Sequence, residues 1–106
     1  MVFIGSLKFD KQLKEDSKQI VIFGAGNMLS ALLDDLESMS IDKIVCICDN
    51  NSIRYKDNID GIPVYSLDEV IKKFPNADFI VYNNYAMEIC RQLLEHNISR
   101  IHLIRR

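Results

Sequence analysis

The sequence predicts an α/β fold with a five-stranded parallel sheet in the order 3-2-1-4-5, and three observations carry that expectation. Short β-branched and aromatic runs alternate with amphipathic stretches along most of the chain. The runs are almost continuously apolar, as in strands buried on both faces, and such strands belong to parallel sheets. The first run ends at Gly24-Ala25-Gly26 and leads straight into a helical pattern, the order of a βαβ unit with a right-handed crossover.

Gln19 to Phe23, QIVIF, is the first predicted strand. Beyond the glycines, Leu29, Leu32, Leu33 and Leu36 recur at helical spacing, while Asp34, Asp35 and Glu37 fall elsewhere on the wheel. This pattern predicts a helix from about Met28 to Met39. Lys43 to Cys48, KIVCIC, is the second strand, and it stops in the polar run Asp49-Asn50-Asn51-Ser52. Asp60-Gly61 makes a turn before a short third strand, Ile62 to Tyr65. Pro63, with no N–H to donate, sets that strand at or near an edge. Ser66 followed by Glu69 has capping-box spacing and starts the next helix. Ala77 to Asn83 is the fourth strand, with Asn83 or Asn84 available to cap a helix carrying Met87, Ile89, Cys90, Leu93 and Leu94. Arg100 to Ile104 is the fifth. Residues 1–17 stand outside this alternation and are expected to be an N-terminal extension. Phe9 and Leu13, four apart, suggest a short helix there. Residues 18–106 are then the domain.

A chain of 106 residues that is 48% hydrophobic supports one core. Its 13 basic and 15 acidic residues are interspersed, for a net charge of -2, so nothing marks a nucleic-acid or anionic membrane partner. Arg105-Arg106 reads as a solvated tail. The opening stretch lacks the long apolar segment of a signal peptide, and no run could span a bilayer. The three cysteines, Cys46, Cys48 and Cys90, show neither a CxxC pair nor zinc-site spacing. A reducing, cytoplasmic setting is expected. Cys46 and Cys48 alternate on one strand face and read as small core residues, and His96 and His102 as structural or exposed.

The glycine turn carries the chemistry. A dinucleotide fingerprint uses one glycine for a tight turn, a second for backbone approach to a pyrophosphate, and a third for helix-to-strand packing. Gly24 and Gly26 supply the first two, while Leu29 occupies the third position. The amides of Asn27 and Met28 at the helix start can also face a phosphate. Asp49, at the end of the second strand, sits where an acidic residue accepts hydrogen bonds from ribose hydroxyls and repels a 2′-phosphate, which favours NAD over NADP. Asn50 beside it and Asn83 at the end of the fourth strand complete the candidate binding set. The same residues also admit a plainer reading, in which the glycines only shape a turn, Asp49 only ends a strand and Asn83 only caps a helix.

Catalytic motifs are missing: no GxxxxGK[ST], HExxH or GxSxG occurs, and no tyrosine is followed four residues later by lysine. A calcium loop over Asp49, Asn51, Asp57 and Asp60 fails because Ile53 and Arg54 stand where a ligand and the turn glycine are needed. No metal ligands and no catalytic residues are assigned.

The segments IVIFGAGNMLSALL, ICDNN, IDGIPVYSLDEV and ADFIVYNN together resemble the small Rossmann-like domains of bacterial redox-sensing repressors and of enzymes of nucleotide-sugar modification and polysaccharide biosynthesis. The resemblance covers about Lys18 to Ile104. It implies a three-layer α/β/α domain and a nucleotide or nucleotide-sugar ligand, with Gly24, Gly26, Asn27, Met28 and Asp49 at matching binding positions. It does not imply a reaction, since such domains often bind without catalysing. The expectation is a non-catalytic sensing or accessory domain for NAD or a nucleotide-sugar. One alternative is the cofactor-binding part of a larger dehydratase, epimerase or sugar transferase whose catalytic domain or subunit lies elsewhere. Another is a vestigial fold serving as a homodimerisation module.

Overall fold

The computed structural model describes residues 2–52 and 58–105. Ile53, Arg54 and Asp57 of the calcium comparison, Tyr55, one of the tyrosines with no lysine four residues on, and the terminal Arg106 lie outside the described residues. In chain order the elements are β1 (Val2–Gly5), β2 (Ile20–Phe23), α1 (Leu29–Ser38), β3 (Ile44–Cys48), β4 (Asn58–Ile59), β5 (Ile62–Tyr65), α2 (Leu67–Lys73), β6 (Asp78–Val81), α3 (Ala86–Glu95) and β7 (Ile101–Ile104). Between β1 and β2 the chain makes a tight turn over Leu7–Phe9. A single wide helical turn over Gln12–Asp16 comes next, closed where Ser17 N–H donates to the Gln12 carbonyl at 3.0 Å.

The sheet has seven strands in the order β1-β7-β6-β2-β3-β5-β4. Every pairing is parallel except β4 with β5. The expected five-stranded, all-parallel sheet is therefore corrected: the sheet is mixed, and it gains a strand at each edge. β1 is one addition. Val2–Gly5 pairs in register with Ile101–Ile104, so part of the N-terminal extension is built into the sheet. β4 is the other. Asp60 and Gly61 have φ of 52° and 83°, the two left-handed residues of a tight hairpin turn. That turn folds Asn58–Ile59 antiparallel onto Ile62 and Pro63. An Asp-Gly pair is a hairpin signal as well as a turn signal, and the two-residue strand before it is too short to show a period.

All four residues of β2, β6 and β7 are buried, because both sheet faces are covered. Val21, Phe23, Phe79, Val81, Ile101 and Leu103 point to one side, against Leu67 and Val70 of α2 and Ile89, Cys90 and Leu93 of α3. Ile20, Ile22, Ile80, Tyr82 and Ile104 point to the other, against Leu29, Leu32 and Leu36 of α1 and against Leu7 and Leu13 of the N-terminal segment. Fully burying each such leucine or isoleucine contributes roughly 1.5–3 kcal/mol. α2 starts with the capping box: Ser66 Oγ accepts from Glu69 N–H, and Glu69 Oε1 accepts from Ser66 N–H, each at 3.3 Å. Cys46, Cys48 and Cys90 are buried free thiols. Burial pushes the Cys46 thiol up to about 12 and that of Cys48 higher. Among the described residues no helix is long and apolar enough to cross a membrane.

Strand register gathers three loops at one end of the sheet. Phe23 is level with Cys48 and Val81, and Cys48 with Tyr65, so the loops leaving β2, β3 and β6 emerge together at the carboxyl ends of the strands.

Candidate functional site

Those three loops and the first turns of α3 enclose a cleft of about 560 Å³. All seven sequence-derived candidates line it: Gly24, Gly26, Asn27 and Met28 after β2, Asp49 and Asn50 after β3, and Asn83 after β6. A volume in this range suits a small-molecule ligand, and carboxyl strand ends are where open α/β sheets bind one.

Gly24 is required by the fold. Its φ is 110°, and a Cβ there would lie 2.7 Å from Asn83 Nδ2. Asn83 ties the β2 and β6 loops together: Nδ2 donates to the Phe23 carbonyl at 3.1 Å, and Oδ1 accepts from Tyr85 N–H at 2.8 Å at the start of α3. Asp49 does the same between the β2 and β3 loops. Its Oδ2 accepts from Ala25 N–H at 2.8 Å and its Oδ1 from Asn51 N–H at 2.7 Å. The neighbouring backbone closes the stitch, with Gly24 N–H donating to the Cys48 carbonyl at 2.7 Å.

Gly26 differs. A Cβ added to it would meet nothing within 4 Å, so packing in the folded chain does not demand a glycine there. The N–H groups of Gly26, Asn27 and Met28 make no hydrogen bond to any described residue. α1 has no side-chain cap at Met28. The uncapped amino end of this ten-residue helix opens on the cleft, with unspent donors and the positive end of the helix dipole. Leu29, at the third fingerprint position, is buried at 7% exposure beside Leu32 and Leu36. It borders the cleft while packing in the core that holds the helix on the sheet.

Across the cleft, Asn50 and Gln92 exchange amides: Asn50 Nδ2 donates to Gln92 Oε1 at 3.2 Å, and Gln92 Nε2 donates to Asn50 Oδ1 at 2.9 Å. The pair links the β3 loop to α3. Tyr85, 69% exposed, stands at the lip. Asp49 and Glu88 line the cleft, and among the described residues no lysine, arginine or histidine does. Sequence reasoning missed Tyr82, Glu88 and Gln92. The available signal was the polar stripe Tyr85, Glu88, Gln92 at helical spacing, opposite the apolar face that buries Cys90 and Leu93.

Fold and cleft define an α/β domain with a ligand-sized site at the carboxyl ends of a largely parallel sheet. A family model described as C2185-like, N-terminal, matches residues 16–104, and the chain belongs to that family. No curated protein and no solved structure matches the sequence.

Proposed function

We propose that this domain binds a nucleotide, NAD or a nucleotide-sugar, in the cleft, and serves as a sensing or accessory module rather than a catalyst on its own. The observation that carries the reading is the row of amides at Gly26, Asn27 and Met28, unpaired among the described residues, around a glycine whose missing side chain no described neighbour requires. Backbone donors at a helix start are the usual partners of a phosphate, and a glycine among them lets the phosphate come close. Asp49 uses one lone pair of each oxygen on Ala25 and Asn51, which leaves others for a ribose diol. Asn50 and Gln92 can exchange their mutual bonds for bonds to ligand hydroxyls. Asn83 acts through position, by holding the Gly24 turn.

With Asp49 and Glu88 facing the cleft and no described cation among its lining residues, a 2′-phosphate is disfavoured, so NAD is preferred to NADP. Asp49 is committed to two backbone amides, and no nucleophile–base pair lines the cleft among the described residues, which favours binding over catalysis. Buried free thiols suit a reducing, cytoplasmic setting. Calorimetric titration with NAD, NADP, NADH, UDP-glucose and coenzyme A tests the reading. Saturable heat with NAD or UDP-glucose is expected, and no binding of any of them at millimolar concentration overturns it.

A further inference from the structure

Away from the cleft, near the amino-terminal ends of β6 and β7, four polar residues are buried: Asp10, Ser17, Asp78 and His102. His102 Nδ1 lies 2.5 Å from Asp10 Oδ2, and its Nε2 lies 3.1 Å from Asp78 Oδ1. Asp10 belongs to the segment between β1 and β2, and its other oxygen accepts Leu13 N–H at 3.0 Å. Asp78 opens β6. Its Oδ2 accepts the Ser17 hydroxyl at 2.7 Å, and its Oδ1 also receives the Gln12 amide and the Arg100 Nε, each at 3.3 Å. From β1, the Phe3 ring stands 6.2 Å from the imidazole, centre to centre. Among the described residues, the charged groups around His102 are thus Asp10 and Asp78, with Arg100 on Asp78.

A neutral imidazole has one N–H donor and one bare acceptor nitrogen. Two carboxylates on its two nitrogens call for two donors, so the geometry selects the imidazolium. Burial alone disfavours that charge, but the hydrogen bonds the ring donates to Asp78 and Asp10 and the negative charges of those carboxylates outweigh it and hold the His102 pKa above its ordinary value. Loss of either ring proton removes the one positive charge that faces Asp10 among the described residues, whereas Asp78 retains Arg100. That loss falls on the segment that supplies Asp10.

We propose that Asp10, His102 and Asp78 form a proton-dependent latch: the doubly protonated ring fastens the β1–β2 segment to the sheet, and loss of one ring proton frees that segment and β1 from the β7 edge. The latch joins two parts of different standing. Ser17, Asp78 and His102 lie inside the family-matched region of residues 16–104, whereas Asp10 and β1 precede it. Freed of the segment, the sheet would expose the β7 edge and the face that Leu7 and Leu13 now cover.

The test is a pH series on the intact chain that tracks the His102 ring nitrogens by NMR and backbone amide exchange residue by residue. At about pH 7.5, one unit above the ordinary imidazole value, both ring nitrogens should still carry protons. From about pH 6.5, the ordinary imidazole value, up to the His102 midpoint, opening of Phe3 and Leu13 should increase about tenfold per pH unit relative to Ile22 in β2 and level off above it, as linkage to one proton requires. Asp10→Asn should move the midpoint to lower pH and shorten the pH range over which opening rises. A singly protonated ring at about pH 7.5, or Leu13 opening in step with Ile22, overturns the latch. If Asp10→Asn fails to fold, the wild-type series decides alone.

Discussion

Asn83 Nδ2 occupies the space where a side chain on Gly24 would begin, 2.7 Å from the ideal Cβ position. One residue thus explains the other: the amide that holds the Phe23 carbonyl can reach it only because residue 24 has no side chain. Gly24→Ala must displace that amide and also adopt a φ of 110°, a region L side chains rarely enter. We expect a loss of roughly 1–3 kcal/mol in denaturant unfolding. A matching stability for Gly24→Ala and the parent would sink this account of the turn.

Gly26→Ala should behave in the opposite way. Its Cβ meets nothing within 4 Å, so the fold should change by less than about 1 kcal/mol. Binding of NAD or UDP-glucose should weaken at least tenfold, because the new methyl projects among the Gly26, Asn27 and Met28 amides. Unfolding curves and calorimetry on the same preparation separate the two effects. Unchanged affinity would remove the phosphate from this turn.

These two glycines mark where the sequence is readable. A strand ending in glycine, a helix starting soon after and an acidic residue closing the next strand are local patterns, and Gly24, Gly26 and Asp49 do meet at one cleft. What differs between the glycines is a contact with Asn83, 59 positions from Gly24, which no local pattern carries. The same holds for β1, whose four residues acquire meaning as a strand only beside β7 at the other end of the chain. His102 reads as a lone histidine in an apolar strand until Asp10, 92 positions away, is brought against it. Leu29 is a different case. In the linear pattern it is a missing glycine, whereas in space it is a core residue.

Leu29→Gly, which would complete the three-glycine pattern, should therefore destabilise the protein. Leu29 is buried in the core cluster between α1 and the sheet, and emptying such a site costs about 2–5 kcal/mol. Glycine near the helix start adds up to about 1 kcal/mol. A variant as stable as the parent in urea unfolding would show that α1 closes onto the sheet without that side chain.

Asp49→Ala should weaken both fold and binding, in proportions that separate its roles. The Ala25 and Asn51 amides lose their acceptor, and a part-buried donor left unpaired costs about 1–3 kcal/mol. Asp49→Asn keeps one acceptor oxygen but turns an NH2 group toward the second amide, so it should recover only part of that stability. If either variant retains full NAD affinity while losing stability, Asp49 is a stitch between loops and no ribose ligand.

The pH profile of stability is set by the buried cluster. Asp78 is subject to burial, which alone would raise its pKa, but the hydrogen bonds from His102 and Ser17 and the charges of Arg100 and His102 bring it below the ordinary 3.8. A lowered folded pKa means stability present above 3.8 and lost as pH falls through the folded value. His102 is raised above 6.5, so its contribution is complete below 6.5 and lost as pH rises through the folded value. Both contributions are complete together only between 3.8 and 6.5. Urea unfolding across pH should therefore decline on the alkaline side, well before lysines or tyrosines of ordinary pKa titrate. His102→Gln puts a neutral amide between the two carboxylates, so it should lose stability where the parent is strongest and flatten the alkaline decline. A His102→Gln profile parallel to the parent's would assign that decline to groups other than this ring.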